Sequence, residues 1–306
     1  MPPVPALPRE NQRGILLMLA AMVTFIVNDT LVKVASADLP TGEIIFLRGL
    51  IVSPIVIVLA VRRGAFANRS LLFHKTLIWR TLGEVAAAGL YLSALFRLPL
   101  ANASAILQVV PLATTAGAAL FLGETVGRRR WTAIAVGFSG ALLVIQPGLD
   151  GFNIWSLVAL LSVFAVVLRD LASKQLPKGL PTLAVTTAAA ISVGLFGGFL
   201  MLFEEPVMPD AAVLATIFAS GLCTVAGYTL IIAAMRTGDI SVVAPFRYSF
   251  MIWAVLAQVL VFGAWPGPLL FIGTGILIAT GIYTFYRERQ VGASEARKAL
   301  TAPPAR

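Results

Sequence analysis

The chain has 306 residues, of which 58% are hydrophobic and only 12% charged, and its mean hydropathy is +0.91. A soluble domain carries about a quarter charged residues, so the composition excludes one. It points to an all-α membrane protein with apolar stretches of about 20 residues, the length that crosses a bilayer core. The formal net charge of +9 then suggests a cytoplasmic membrane face rather than a nucleic-acid partner.

Residues 1–13 are proline-rich and polar, and read as a short disordered cytoplasmic tail. The apolar segment that follows is long, includes Asn28 and Asp29, and lacks a small-residue cleavage site after it, so it reads as a membrane helix and not as a signal peptide. Ten spans follow in order: 14–35, 43–61, 76–96, 100–122, 131–146, 153–175, 181–203, 210–235, 240–263 and 268–286. Turn-forming linkers such as "DLPTG", "QPGLDG", "EEPVMPD" and "WPGP" separate them. Spans 1–5 make a first repeat over 14–148, spans 6–10 a second over 149–287, and 288–306 is a second cytoplasmic tail.

Charge supports the count. With the N-terminus inside, seventeen Lys and Arg residues fall in cytoplasmic segments, among them Arg128–Arg130, Lys174 and Arg236, against Arg97 alone outside. That is the positive-inside pattern, with both termini cytoplasmic.

An internal repeat is also visible. "LSALFRLPLANASAI", starting at Leu92, aligns on "IIAAMRTGDISVVAP", ending at Pro245, and "LFLGE" falls on "LVFGA". "LVKVASADLP" (Leu31–Pro40) likewise resembles "VLRDLASKQLP" (Val167–Pro177). Five spans per half is an odd number, so the second copy enters the membrane upside down. Inverted repeats build alternating-access transporters, with the site at the repeat interface. Small residues at helical spacing, Ala133, Gly137 and Ala141 on span 5 and Ala113 and Gly117 on span 4, predict close helix packing.

Ionisable residues inside the membrane are costly, at least ~2.5–3.5 kcal/mol each on insertion scales. Arg80 and Glu84 are four apart on span 3, as are Asp29 and Lys33 on span 1. Arg169 and Asp170 are adjacent, so they are expected to point apart and find partners on other helices. Tyr91 continues the Glu84 stripe outward. One reading is a substrate cavity between the halves, lined by Asn28, Asp29, Arg80, Glu84, Gln108, Arg247 and Tyr248, with Tyr91 beyond. The other is a set of buried ion pairs with arginines snorkelling to an interface. Arg48, five residues past Glu43, reads as an external anchor or gate. Pro111 and Pro245 interrupt spans 4 and 9 and are candidate gate hinges.

The single His74 lies in a loop and Cys223 stands alone in an apolar run, so no metal site or nucleophile relay is expected. No P-loop is present to bind ATP. A membrane enzyme and a channel are therefore the weaker classes, and no cofactor is expected.

"NDTLVKVASADLPTGEIIFLR" (Asn28–Arg48), "GETVGRRRWTAIAVGFSGALLVIQPG" (Gly123–Gly148) and "APFRYSFMIWA" (Ala244–Ala254) resemble the drug/metabolite transporter superfamily, in its ten-span form with two EamA domains. They are most similar to the branch that holds S-adenosylmethionine uptake transporters and riboflavin importers. One departure is that the Gly-Glu ending span 4 (Gly123, Glu124) recurs as Gly263 and Ala264. The resemblance implies a secondary carrier for a small polar organic metabolite, tilted toward uptake of a cofactor-like compound, with an amino-acid or drug exporter as the alternative. Expected partners are that solute, the lipid bilayer, protons as coupling ion and a second copy in a homodimer. Arg247 would meet a carboxylate or other electron-rich group, Tyr248 would stack on a ring, and Glu84 or Asp29 would carry the proton.

Overall fold

A computed structural model describes residues 8–67, 69–147, 152–177, 179–237 and 239–301, with side chains described from Arg9 to Arg287 except at 69–70 and 240–241. The first seven residues, the expected repeat boundary at 148/149, Asp150, Lys178 and the last five residues lie outside them. Among the described residues the chain forms helices and no strands.

The helices are α1 (Pro8–Ala35), α2 (Thr41–Arg62), α3 (Lys75–Arg97), α4 (Leu100–Leu107), α5 (Val110–Phe121) and α6 (Arg128–Ile145) in the first half. The second half has α7 (Ile154–Lys174), α8 (Thr182–Leu200), α9 (Ala211–Thr237), α10 (Ile240–Val243), α11 (Ser249–Phe262) and α12 (Pro268–Thr301). Span 4 is α4 with α5, and span 9 is α10 and α11 joined by the 3₁₀ turn Ala244–Tyr248. This gives ten membrane spans in two inverted five-span repeats. Eight of them are long and apolar enough to cross a bilayer by themselves. The other two, α3 and α6, carry Arg80 and Glu84 or Arg128–Arg130, and cross because they pack among the rest.

α1 starts at Pro8, ahead of the expected Gly14, because proline's missing N–H is harmless in a first turn. Other starts are capped by side chains: His74 Nδ1 accepts from Thr76 N, and Asn153 Oδ1 accepts from Trp155 N at 2.9 Å. Spans 4 and 9 both terminate on a left-handed glycine, Gly123 at φ 70° and Gly263 at φ 63°, a conformation that any β-carbon disfavours.

Helix packing carries the pseudo-twofold. α1 packs on α9 and, correspondingly, α7 on α3. α1 meets α11 as α7 meets α5, and α2 meets α9 as α8 meets α3. Two pairs map onto themselves, α2 with α8 and α6 with α12. In both, glycine faces glycine: Gly49 lies against Gly194 and Gly140 against Gly273, so close that a β-carbon would strike the opposing backbone. Small residues allow this approach where lipid supplies no hydrophobic drive between helices.

Candidate functional site

Strands of charge divide the bundle into two ends. At the basic end lie the start of α1 and the ends of α5, α7 and α9, with Arg13, Lys174 and Arg236. At the far end α1, α3 and α11 terminate.

The far end is tied shut. Lys33 donates from Nζ to the carbonyls of Leu95 and Leu98, both at 2.6 Å, where α3 runs out of intrahelical partners. The same ammonium stands 5.7 Å from the centroid of the Phe262 ring. Arg97 covers the Trp155 ring at 4.9 Å. Ala101 N, in the first turn of α4, donates to Gln258 Oε1 on α11 at 2.7 Å. Gly42 N donates to Glu204 Oε2 at 2.8 Å, and Val207 N to Glu43 Oε2 at 3.0 Å.

Toward the basic end the halves part around a cavity of about 570 Å³. Spans 1, 4, 6, 8, 9 and 10 all line it, from Met22 and Phe25 on α1 to Glu124, Lys174, Met235 and Phe285 near the helix ends. Both helix breaks face it: Gln108 after the end of α4 with Pro111 in the first turn of α5, and Pro245, Arg247 and Tyr248 in the 3₁₀ turn. Pro111 occupies the first turn of α5, where its missing N–H costs nothing. Arg247 is solvent-exposed although protein surrounds it, as expected of a side chain inside a cavity. Gly281 makes room for Tyr248, since a β-carbon there would collide with the tyrosine hydroxyl.

Of the eight residues read from sequence as substrate-binding, Gln108, Arg247 and Tyr248 therefore line the cavity. Arg80 and Glu84 stand behind it. Arg80 Nη2 lies 2.9 Å from Glu84, and Glu84 also meets Arg169 Nη1 at 3.4 Å, which joins α3 to α7. Arg169 and Asp170 do not point apart as expected: Nη2 of Arg169 reaches Asp170 Oδ1 at 2.8 Å, and both line the cavity. An arginine side chain is long enough to fold back along its own helix, so adjacency does not forbid the pair.

Asn28, Asp29, Tyr91 and Arg48 form a separate buried network. Tyr91 donates to Asp29 Oδ2 at 2.7 Å and Asn28 Nδ2 to Asp29 Oδ1 at 2.9 Å. Arg48 Nη2 donates to Asn28 Oδ1 at 3.2 Å and to Thr224 Oγ1 at 3.0 Å. Asp29 thus pairs across helices and not with Lys33, and Arg48 ties α2 to α1 and α9 inside the bundle. Sequence reading missed Thr224, Gln258, Gly281 and Tyr228, whose ring packs edge-on against Phe25 at 5.4 Å. For Thr224, Gln258 and Tyr228 the available signal is a lone polar or aromatic residue in an apolar run, and for Gly281 a glycine inside an apolar helix.

The Gly-Glu departure also has its account. At the basic end Glu124 holds span 4 to span 6 through Lys174 at 2.9 Å. At the far end, where Ala264 has no carboxylate, the Lys33 contact with Phe262 and the Gln258 bond to α4 hold span 9.

Comparison with known proteins agrees with this architecture. A riboflavin transporter of Rhizobium johnstonii is 30% identical over 214 residues, which is 69% of this chain and 71% of the relative. A pseudopaline exporter of Pseudomonas aeruginosa is 27% identical over 90% of this chain and 97% of its own length. An S-adenosylmethionine uptake transporter of Rickettsia prowazekii is 23% identical over 90% of this chain and 94% of its own. One solved crystal structure superposes with a TM-score of 0.60 at 20% identity, covering 91% of this chain and 99% of the other, a likeness of fold. The model of the EamA-like transporter family matches residues 12–146 and again 153–287. With two copies of that unit spanning ten membrane helices, the chain belongs to the EamA-like transporter family and is a multi-pass membrane transporter.

Proposed function

We propose that the protein is a secondary transporter of the bacterial inner membrane, with both termini cytoplasmic, that moves a small polar organic metabolite by alternating access. The observation that carries this is a cavity of about 570 Å³ between the two halves, open toward the basic end while the far end is tied shut. Positive residues favour the cytoplasmic side, so this is the inward-open arrangement, and the volume is in the range of small-molecule sites. In this reading Arg247 meets an electron-rich group of the solute, and Tyr248 with Phe25 and Phe285 contacts its body. The helix breaks at Pro111 and Pro245 serve as hinges. Glu84 and Asp29 are the carboxylates available to a coupling proton, each already held by hydrogen bonds that a proton would alter.

The tilt toward uptake of a cofactor-like compound, riboflavin or S-adenosylmethionine, rests on the names of two relatives at modest identity. The pseudopaline exporter, matched over almost its whole length, favours export as the second reading. Purified protein in liposomes tests both. Saturable accumulation of a labelled metabolite is expected, whereas linear flux points to a channel. Reversing the imposed pH gradient gives the direction of coupling, and an unchanged initial rate argues against a proton carried on Glu84 or Asp29.

A further inference from the structure

We propose that the solute held in this cavity is an organic anion, with a carboxylate or phosphate head against Arg247 and an apolar or aromatic body against the wall. This rests on the transport reading above and departs from its tilt toward riboflavin, which carries no anionic group.

The charges of the cavity do not balance. Its lining holds Glu124, Arg169, Asp170, Lys174 and Arg247. Lys174 pairs with Glu124 at 2.9 Å and Arg169 with Asp170 at 2.8 Å. Arg80 and Glu84, just behind, pair with each other at 2.9 Å. Among the described residues Arg247 has no carboxylate within 4.0 Å; its nearest acid in electrostatic effect is Asp170, which Arg169 already engages. One positive charge is left over, and it belongs to Arg247, whose exposed side chain lines the cavity.

A lysine in such a place can shed its proton, but a guanidinium cannot. The uncompensated cation must be met by water or by a ligand, and it presents a planar fork of N–H donors that matches carboxylate or phosphate. The wall adds further unused capacity. Gln108 and Thr284 line the same cavity, and their buried Nε2 and Oγ1 atoms have no hydrogen-bond partner among the described residues. An amide NH2 can only donate, so it too calls for an acceptor. Around these groups stand Met22, Phe25, Met235, Phe250 and Phe285, an apolar and aromatic surface for the rest of the solute. A solute without an anionic group leaves this surplus charge unmet.

The test uses full-length protein in lipid nanodiscs and ligands matched except for charge: riboflavin with flavin mononucleotide, and nicotinamide with nicotinate. Calorimetry and flavin fluorescence report affinity. In each pair that binds, the anion is expected to bind about tenfold tighter or more. Arg247→Gln should erase the difference while the neutral member keeps its affinity, and Arg247→Lys should restore part of it. Thermal unfolding checks that each variant is folded. Equal affinity within the binding pairs, or a preference that survives Arg247→Gln, overturns the anion proposal and leaves the transport reading standing. No saturable binding by any member of the panel counts against the cavity as a solute site, and both fall together.

Discussion

The ammonium nitrogen of Lys33 on α1 lies 2.6 Å from the carbonyl oxygen of Leu98, one residue beyond the end of α3. A second bond of the same length goes to Leu95, so a single cation satisfies two carbonyls that the end of α3 leaves free. Because the same ammonium stands over Phe262, it links spans 1, 3 and 9 where the far end closes. Lys33→Met retains the apolar stem and removes both bonds. Hydrogen bonds to charged groups contribute about 1.5–3 kcal/mol, so a lower unfolding temperature and faster deuterium uptake over 94–100 are expected. Unchanged exchange there would mean that the latch holds nothing.

Glu84 and Glu124 offer a comparison of a part-buried cluster with an exposed ion pair. Glu84 is shared by Arg80 and Arg169, with side chains 15–25% accessible. The Lys174–Glu124 pair is 47% and 46% accessible. Breaking a fully buried pair costs about 3–5 kcal/mol, because the remaining charge is stranded. Partial access to water reduces this to roughly 2–3 kcal/mol for Glu84→Gln, while Glu124→Gln should fall within about 1 kcal/mol. Thermal unfolding in detergent ranks the two, and an inverted order would show that the Glu84 cluster is screened by water.

Span positions were legible because hydropathy over about 20 residues is a strong signal. The breaks at Pro111 and Pro245 were legible because proline cannot continue a helix without a local cost. Which partner each polar side chain takes was not. Lys33 and Asp29 have the spacing of an ion pair, yet Lys33 sits in the last turn of α1, where the unsatisfied carbonyls of α3 compete for it and prevail. Asp29 is left to Tyr91, and Arg48 to Asn28, contacts between residues 62 and 20 positions apart that no periodicity encodes. Arg247 was legible as an oddity, but only the folded bundle reveals that the other charges near it are already paired.

The Tyr91–Asp29 bond at 2.7 Å is suited to a double-mutant cycle. Interhelical hydrogen bonds in membrane proteins couple by about 0.6 kcal/mol on average and up to about 1.7. This one is short, buried and charge-assisted, so Tyr91→Phe with Asp29→Asn should give a coupling near the upper figure. Unfolding free energies of the four proteins measure it. Additive losses would show that Asn28 alone holds the Asp29 carboxylate.

Gly281 on α12 leaves space for Tyr248, and Gly275 on the same helix has nothing near it. Gly275→Ala should be neutral or stabilise slightly, since replacing an exposed helical glycine by alanine gains roughly 0.5–1 kcal/mol. Gly281→Ala instead places a methyl group where the Tyr248 hydroxyl lies. The tyrosine is the flexible end of that contact, so it should swing away while the backbone holds. The variant is then expected to fold normally and to lose solute uptake, because one wall of the cavity has moved. Tyr248→Phe removes the atom that collides first, and the double variant should recover part of the lost uptake if the collision is the cause. Equal uptake by Gly281→Ala and Gly275→Ala would place Tyr248 outside the transport path.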